Sequence, residues 1–114
     1  MTKFVADAYI WIEYLEGSEK GRKAAEAIED GSNEIFTSSA TVAEVISKFL
    51  RSNKDMWIAI KCINSMSNVV NVTQEIANLA GQIHFEAKKR SKNFGMLDAF
   101  VAATAKKMNA KILT

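Results

Sequence analysis

The chain has 114 residues, 48% hydrophobic and 25% charged, with a formal net charge of +2. That balance suits one folded domain with a single core and excludes a disordered acidic segment, a collagen-like chain and a disulfide scaffold. One cysteine, Cys62, and one histidine, His84, exclude an internal disulfide and a structural zinc site. No run approaches the roughly 20 apolar residues of a membrane span. The first apolar stretch is cut by Asp7, unlike the core of a secretory signal. The expectation is a cytoplasmic protein with no membrane segment.

Taken in chain order, Lys3 to Ala6 reads as a buried strand ending at Asp7, and Tyr9 to Leu15 as an apolar, aromatic helix. Gly17 breaks it, and Ser18 caps a helix through Ile28. Gly31-Ser32-Asn33 is a turn before a second strand, Glu34 to Thr37. Ser38 or Ser39 caps a helix with Val42, Val45, Ile46, Phe49 and Leu50 on one apolar face. Asp55 opens a helix carrying Trp57, Ile58, Ile60 and Ile63. Val69 to Val72 is a short β-branched strand, and Thr73 caps a long helix through Lys89. Ser91 to Gly95 is a loop, Leu97 to Met108 an Ala-rich helix, and Lys111 to Thr114 a fourth strand. Strands separated by one or two helices imply an α/β fold, a three-layer α/β/α sandwich around a short parallel central sheet, as a single domain over 1–114.

Charge is uneven. Residues 1–44 hold nine acids and four bases, whereas residues 45–114 hold eleven bases and four acids. Lys88, Lys89, Arg90 and Lys92 form the densest basic cluster, suited either to phosphates or to the negative end of a helix dipole. Three acids fall where such sheets build their sites, outside the carboxyl ends of the strands. Asp7 ends the first strand, Glu44 lies in the first two turns of the third helix, and Asp98 lies near the start of the last. Asp98 shares a helical stripe with Val101, Ala102 and Ala105, where burial of a lone carboxylate needs compensation. Each acid also has a structural reading: Asp7 as a helix cap, Glu44 paired with Lys48, Asp98 as a charge at a helix start. Together they would repel unless a divalent cation joined them, and hard oxygen ligands select Mg²⁺ or Mn²⁺. His84 and Cys62 have no motif around them and read as structural.

Three segments resemble the PIN domain, the metal-dependent ribonuclease fold of VapC-type toxins: Phe4-Val5-Ala6-Asp7-Ala8-Tyr9-Ile10-Trp11-Ile12, Thr37 to Val45 around Glu44, and Gly95 to Ala105 around Asp98 with Ala110 to Thr114 following. The resemblance implies that Asp7, Glu44 and Asp98 are catalytic metal ligands for Mg²⁺ or Mn²⁺. It implies hydrolysis of single-stranded RNA, with Lys88, Lys89, Arg90 and Lys92, then Lys48 and Arg51, on the phosphate backbone. Tyr9 and Trp11 could stack bases, although their apolar neighbours favour packing. It further implies a small antitoxin partner and a homodimer formed through the helices of residues 9–15 and 56–63. The sequence departs from the family at Ala8, where Ser or Thr is usual, and at Thr114, after which a Gly-Asp step commonly supplies a fourth acid. The C-terminal part therefore reads as truncated, and a PIN-like module that binds RNA or protein without cutting it is the alternative. A phospho-accepting receiver domain fits poorly, because no second acid adjoins Asp7 and the second and third strands carry no aspartate.

Overall fold

The computed structural model describes all of residues 1–114. β1 (Lys3–Ala6) leads into α1 (Ala8–Glu16) and α2 (Glu19–Ile28), and β2 (Glu34–Ser38) into α3 (Ser39–Arg51) and α4 (Met56–Met66). β3 (Asn68–Val70) leads into α5 (Gln74–Lys88) and α6 (Met96–Met108), and β4 (Lys111–Leu113) follows. The strands form one parallel sheet in the order β3-β2-β1-β4, with Val5 opposite both Phe36 and Ile112. The crossovers from β1 to β2 and from β2 to β3 run one way, and the crossover from β3 to β4 returns past β1. The sheet therefore changes winding direction between β1 and β4.

Successive strand residues face opposite sides of a sheet. Ala6 and Ile35 accordingly pack with Trp11, Ala24, Val45, Phe49, Ala59 and Ile63 from α1 to α4. Val5 and Phe36 pack with Val101 and Ala105 of α6 on the other face. α5 lies behind α6, where Ile76 and Ala80 meet Ala99 and Ala103. The result is the expected three-layer α/β/α sandwich around a parallel sheet.

Helix starts follow their caps. The hydroxyls of Ser18, Ser38 and Thr73 and the carboxylate of Asp55 each accept a backbone N–H from the first turn of the helix that follows. Gly17, at φ 69°, closes α1 in the left-handed region. Gly21 then lets α2 lie directly on α1, since a Cβ there would stand 2.0 Å from the Glu13 carbonyl oxygen. Inside the larger core, the Trp11 indole N–H donates to Thr37 Oγ1 at 3.1 Å. Thr37 Oγ1 and Ser67 Oγ share a 2.8 Å bond, and Ser67 Oγ donates to the Ile63 carbonyl at 2.7 Å.

Several expectations shift. β3 begins at Asn68 and ends at Val70. α4 is apolar on all sides, and the structure buries Ala59 and Ile63 while leaving Trp57 and Ile58 more than half exposed. Leu50 likewise faces outward, past the face of α3 that buries Val45 and Phe49. Ile10 and Trp11 are consumed by the core, so Trp11 cannot stack a base. Tyr9 remains exposed.

Candidate functional site

Open parallel sheets place their sites where the winding direction changes, outside the carboxyl ends of the strands. Here that point lies between the ends of β1 and β4, and Asp7 stands on it. Its backbone is still extended (φ −85°, ψ 174°), and its Oδ1 caps α1 by accepting the Ile10 N–H at 2.9 Å. The helix-cap reading of Asp7 is therefore correct, and it leaves the second oxygen free of α1. That oxygen, Oδ2, accepts a hydrogen bond from the Thr114 hydroxyl just beyond β4. The Asp7 N–H meanwhile donates to the Leu113 carbonyl at 3.2 Å, so β4 holds the residue from both ends.

Glu44 projects from the second turn of α3 and is half-buried. Its carboxyl is held above the usual glutamate range, first by burial and then by the negative charges of Asp98 and Asp7, with Arg51 acting the other way. Burial is the larger cause, and the two aspartates are near enough to add to it. Glu44 makes no ion pair with Lys48; the ion pairs are Lys54–Glu16, Lys89–Glu86 and Lys107–Glu75.

Asp98 is exposed, contrary to its expected burial along the Val101–Ala105 stripe. The reason is its place in the first turn of α6, where the helix overhangs the sheet before its apolar face reaches β1. Its Oδ2 accepts the Gly95 N–H at 2.8 Å, which fixes the carboxylate against the loop that precedes α6. Three carboxylates and a hydroxyl make a hard, all-oxygen donor set, the type that takes Mg²⁺ or Mn²⁺. As the side chains stand, no three acidic, His or Cys groups are close enough to hold an ion together. The residues thus fit such a cation in chemistry and charge, and their repulsion is the cost it would relieve.

The basic candidates divide. Arg51 acts on Glu44 and lies within 3.4 Å of Ser47 Oγ through its Nε. Lys48 acts on Glu16 instead, away from the acidic edge. Lys89 pairs with Glu86 at 3.4 Å and covers the Phe85 ring, and Lys88 Nζ donates to the Lys92 carbonyl, closing the loop on itself. Arg90 lines a shallow surface hollow with Lys106. Arg90 and Lys92 carry no ion pair. The sequence reading missed Thr114 as the partner of Asp7, because nothing local reveals that β4 lies beside β1.

The sequence pattern of the PIN domain matches residues 4–114. No curated protein sequence matches the chain. Among solved structures, a toxin–antitoxin complex from Klebsiella pneumoniae is 24% identical with a TM-score of 0.73, over 100% of this chain and 85% of that one. VapBC2 from Rickettsia felis, bound to a DNA fragment of its promoter, is 17% identical with a TM-score of 0.77, over 99% and 86%. VapC20 from Mycobacterium tuberculosis, a toxin that cleaves the sarcin-ricin loop, is 15% identical with a TM-score of 0.74, over 94% and 84%. At these identities the likeness is one of fold.

Proposed function

Because the chain belongs to the PIN-domain family, we propose that it is a metal-dependent endoribonuclease acting on single-stranded RNA, the cytoplasmic toxin of a toxin–antitoxin pair. The observation that supports the reading is the placement of Asp7 at the end of β1 beside β4, where the sheet changes winding direction, with Asp98 and Asp7 close enough to add to the effect of burial on the Glu44 carboxyl. The three come from the end of β1, from α3 and from the start of α6, separated in sequence, and the charges of Asp7 and Asp98 both reach Glu44.

Asp7, Glu44 and Asp98 are assigned as the metal ligands. A Mg²⁺ or Mn²⁺ ion held by them would supply an activated water and positive charge beside the phosphoryl oxygens. Asp7 is held by the α1 cap and by Thr114, Asp98 by the Gly95 N–H, and each keeps lone pairs for this purpose. Lys88, Lys89, Arg90 and Lys92 lie in the last turn of α5 and the loop leading to Asp98, where they would attract the RNA backbone without reading its sequence. Arg51, which already offsets the charge of Glu44, would stand beside the phosphate being cut. Lys48 is assigned only to the outer field.

The solved relatives described as toxin–antitoxin complexes support an antitoxin partner. A homodimer is proposed through α4, where Trp57 and Ile58 are exposed, together with the accessible parts of residues 9–15. The test is cleavage of a mixed single-stranded RNA panel with Mg²⁺, Mn²⁺ or EDTA, beside Asp98→Asn. Metal-dependent cleavage that is lost in the variant supports the nuclease. RNA binding with no cleavage under any metal replaces it with the PIN-like module that binds without cutting.

A further inference from the structure

A second charged feature lies on the opposite face of the sheet from the Lys88–Lys92 cluster. Between α1, α2 and the end of β4 is a cleft of about 300 Å³, lined by Ile10, Lys20, Lys23, Ala24, Leu113 and Thr114. Ile10, Ala24 and Leu113 form its apolar floor. Lys20 and Lys23, three apart on α2 and so on one side of it, form its rim. Neither makes an ion pair or a side-chain hydrogen bond, although residues 13 to 34 hold seven acids and, besides these two lysines, only one base, Arg22.

Two further contacts tie the cleft to the acidic edge. Thr114, on its wall, donates its hydroxyl to Asp7. Lys20 Nζ sits 5.2 Å from the ring centroid of Tyr9, which is exposed two residues after Asp7. Gly21, the next residue along α2, is where that helix lies directly on α1. An aromatic face, two unpaired ammonium groups and a wall that touches Asp7 therefore follow one another from the carboxylates outward.

We infer that this cleft is a subsite for single-stranded RNA, in which Lys20 and Lys23 hold backbone phosphates and Tyr9 stacks a base adjoining the bond over Asp7. The inference rests on the ribonuclease reading above and extends it to α2, which the sequence left without basic candidates. The strand then crosses the site between two cationic banks, α2 on one side and the α5–α6 loop on the other. An acidic protein segment would satisfy the lysines but would have no use for the exposed ring of Tyr9, whereas RNA can draw Lys20 to a phosphate and stack a base on the ring it leaves.

The test is fluorescence anisotropy of a short labelled single-stranded RNA of mixed sequence, in EDTA, over a salt series. Lys20→Gln/Lys23→Gln should weaken binding several-fold and reduce the slope of log K against log salt by about 1.4, the value for two phosphates on a single strand. Tyr9→Ala should weaken binding about tenfold with the slope unchanged, and Tyr9→Phe should bind as the parent does. All three residues are exposed, so folding is not at issue. Unchanged affinity and slope in the double variant, with binding lost on substitution of Lys88, Lys89 and Lys92, overturns the subsite and leaves the ribonuclease reading standing. Parent protein that binds no RNA overturns both. Poly-glutamate binding that depends on Lys20 and Lys23, with RNA binding indifferent to them, assigns the cleft to an acidic protein segment and overturns the inference.

Discussion

The indole N–H of Trp11 donates to Thr37 Oγ1 at 3.1 Å, and both residues are fully buried. The bond joins the first turn of α1, which Asp7 caps, to the last part of β2, from which α3 and Glu44 depart. It fixes two of the three acidic elements relative to each other from beneath. Thr37→Val keeps the shape of the side chain and strands the indole donor, while Ser67 Oγ loses one bond and keeps the one it donates to the Ile63 carbonyl. The expected cost is about 1–3 kcal/mol, read as a lower urea midpoint with an unchanged slope. Thr37→Ser, which retains the acceptor, should lose less. Equal losses in the two variants would show that the methyl group, and not the bond, matters at this position.

Glu44 gives a pH prediction. Its carboxyl is raised in the folded protein, so over the window from its ordinary value of 4.5 up to the raised one the folded state binds more protons than the unfolded chain. Stability contributed by this group is therefore present at acid pH and lost as pH rises through that window. Glu44→Gln should raise Tm at neutral pH, and the gain should vanish below the ordinary glutamate range. A variant less stable than the parent at pH 7 would mean that the charge of Glu44 is compensated within the protein alone.

A divalent cation should act on the same repulsion from outside. Mn²⁺ binding to the folded state alone stabilises it by about 2.7 kcal/mol at a hundred times its Kd. Differential scanning calorimetry with and without Mn²⁺ should show a rise in Tm for the parent, a reduced rise for Asp98→Asn, and none for Glu44→Gln/Asp98→Asn. An equal rise in all three would locate the ion elsewhere.

Gly21→Ala tests the α1–α2 contact. The new Cβ would come within 2.0 Å of the Glu13 carbonyl oxygen and 2.9 Å of Tyr14 Cα, both backbone atoms that cannot rotate away. Helix propensity favours Ala over Gly by nearly 1 kcal/mol, yet the clash should dominate, with a net loss of about 1–3 kcal/mol. Denaturant midpoints decide the sign. A stabilised variant would mean that α2 can slide on α1 at little cost.

Much of this architecture was legible because it is locally encoded. Ser18, Asp55 and Thr73 cap the helices expected of them, and Ser38 rather than Ser39 caps α3. The alternation of strands with helix pairs identified a parallel sheet, and the carboxyl ends of its strands pointed to Asp7, Glu44 and Asp98. What stayed hidden depended on neighbours distant in sequence. α4 reads Met56-Trp57-Ile58-Ala59-Ile60, apolar in every direction, so only its docking on α3 selects Ala59 and Ile63 for burial and leaves Trp57 and Ile58 outside. Asp98 belongs to an apolar stripe on paper, but its turn of α6 lies beyond the sheet. The Lys20–Lys23 cleft needs α2, α1 and β4 together, and no window of sequence contains all three.

The position of β1 also governs when the acidic edge can exist. Its Val5 pairs with Phe36 on one side and with Ile112 on the other. A growing chain can close the first pairing after some forty residues, but the second must wait until residue 111 has been made. Until then one flank of β1 is open, and Asp7 lacks its bonds to Leu113 and Thr114. Contacts spanning this much sequence form late and slowly. Assembly order thus sets when this edge is complete: a chain made as far as residue 110 carries all three acids but not the β4 bonds that hold Asp7.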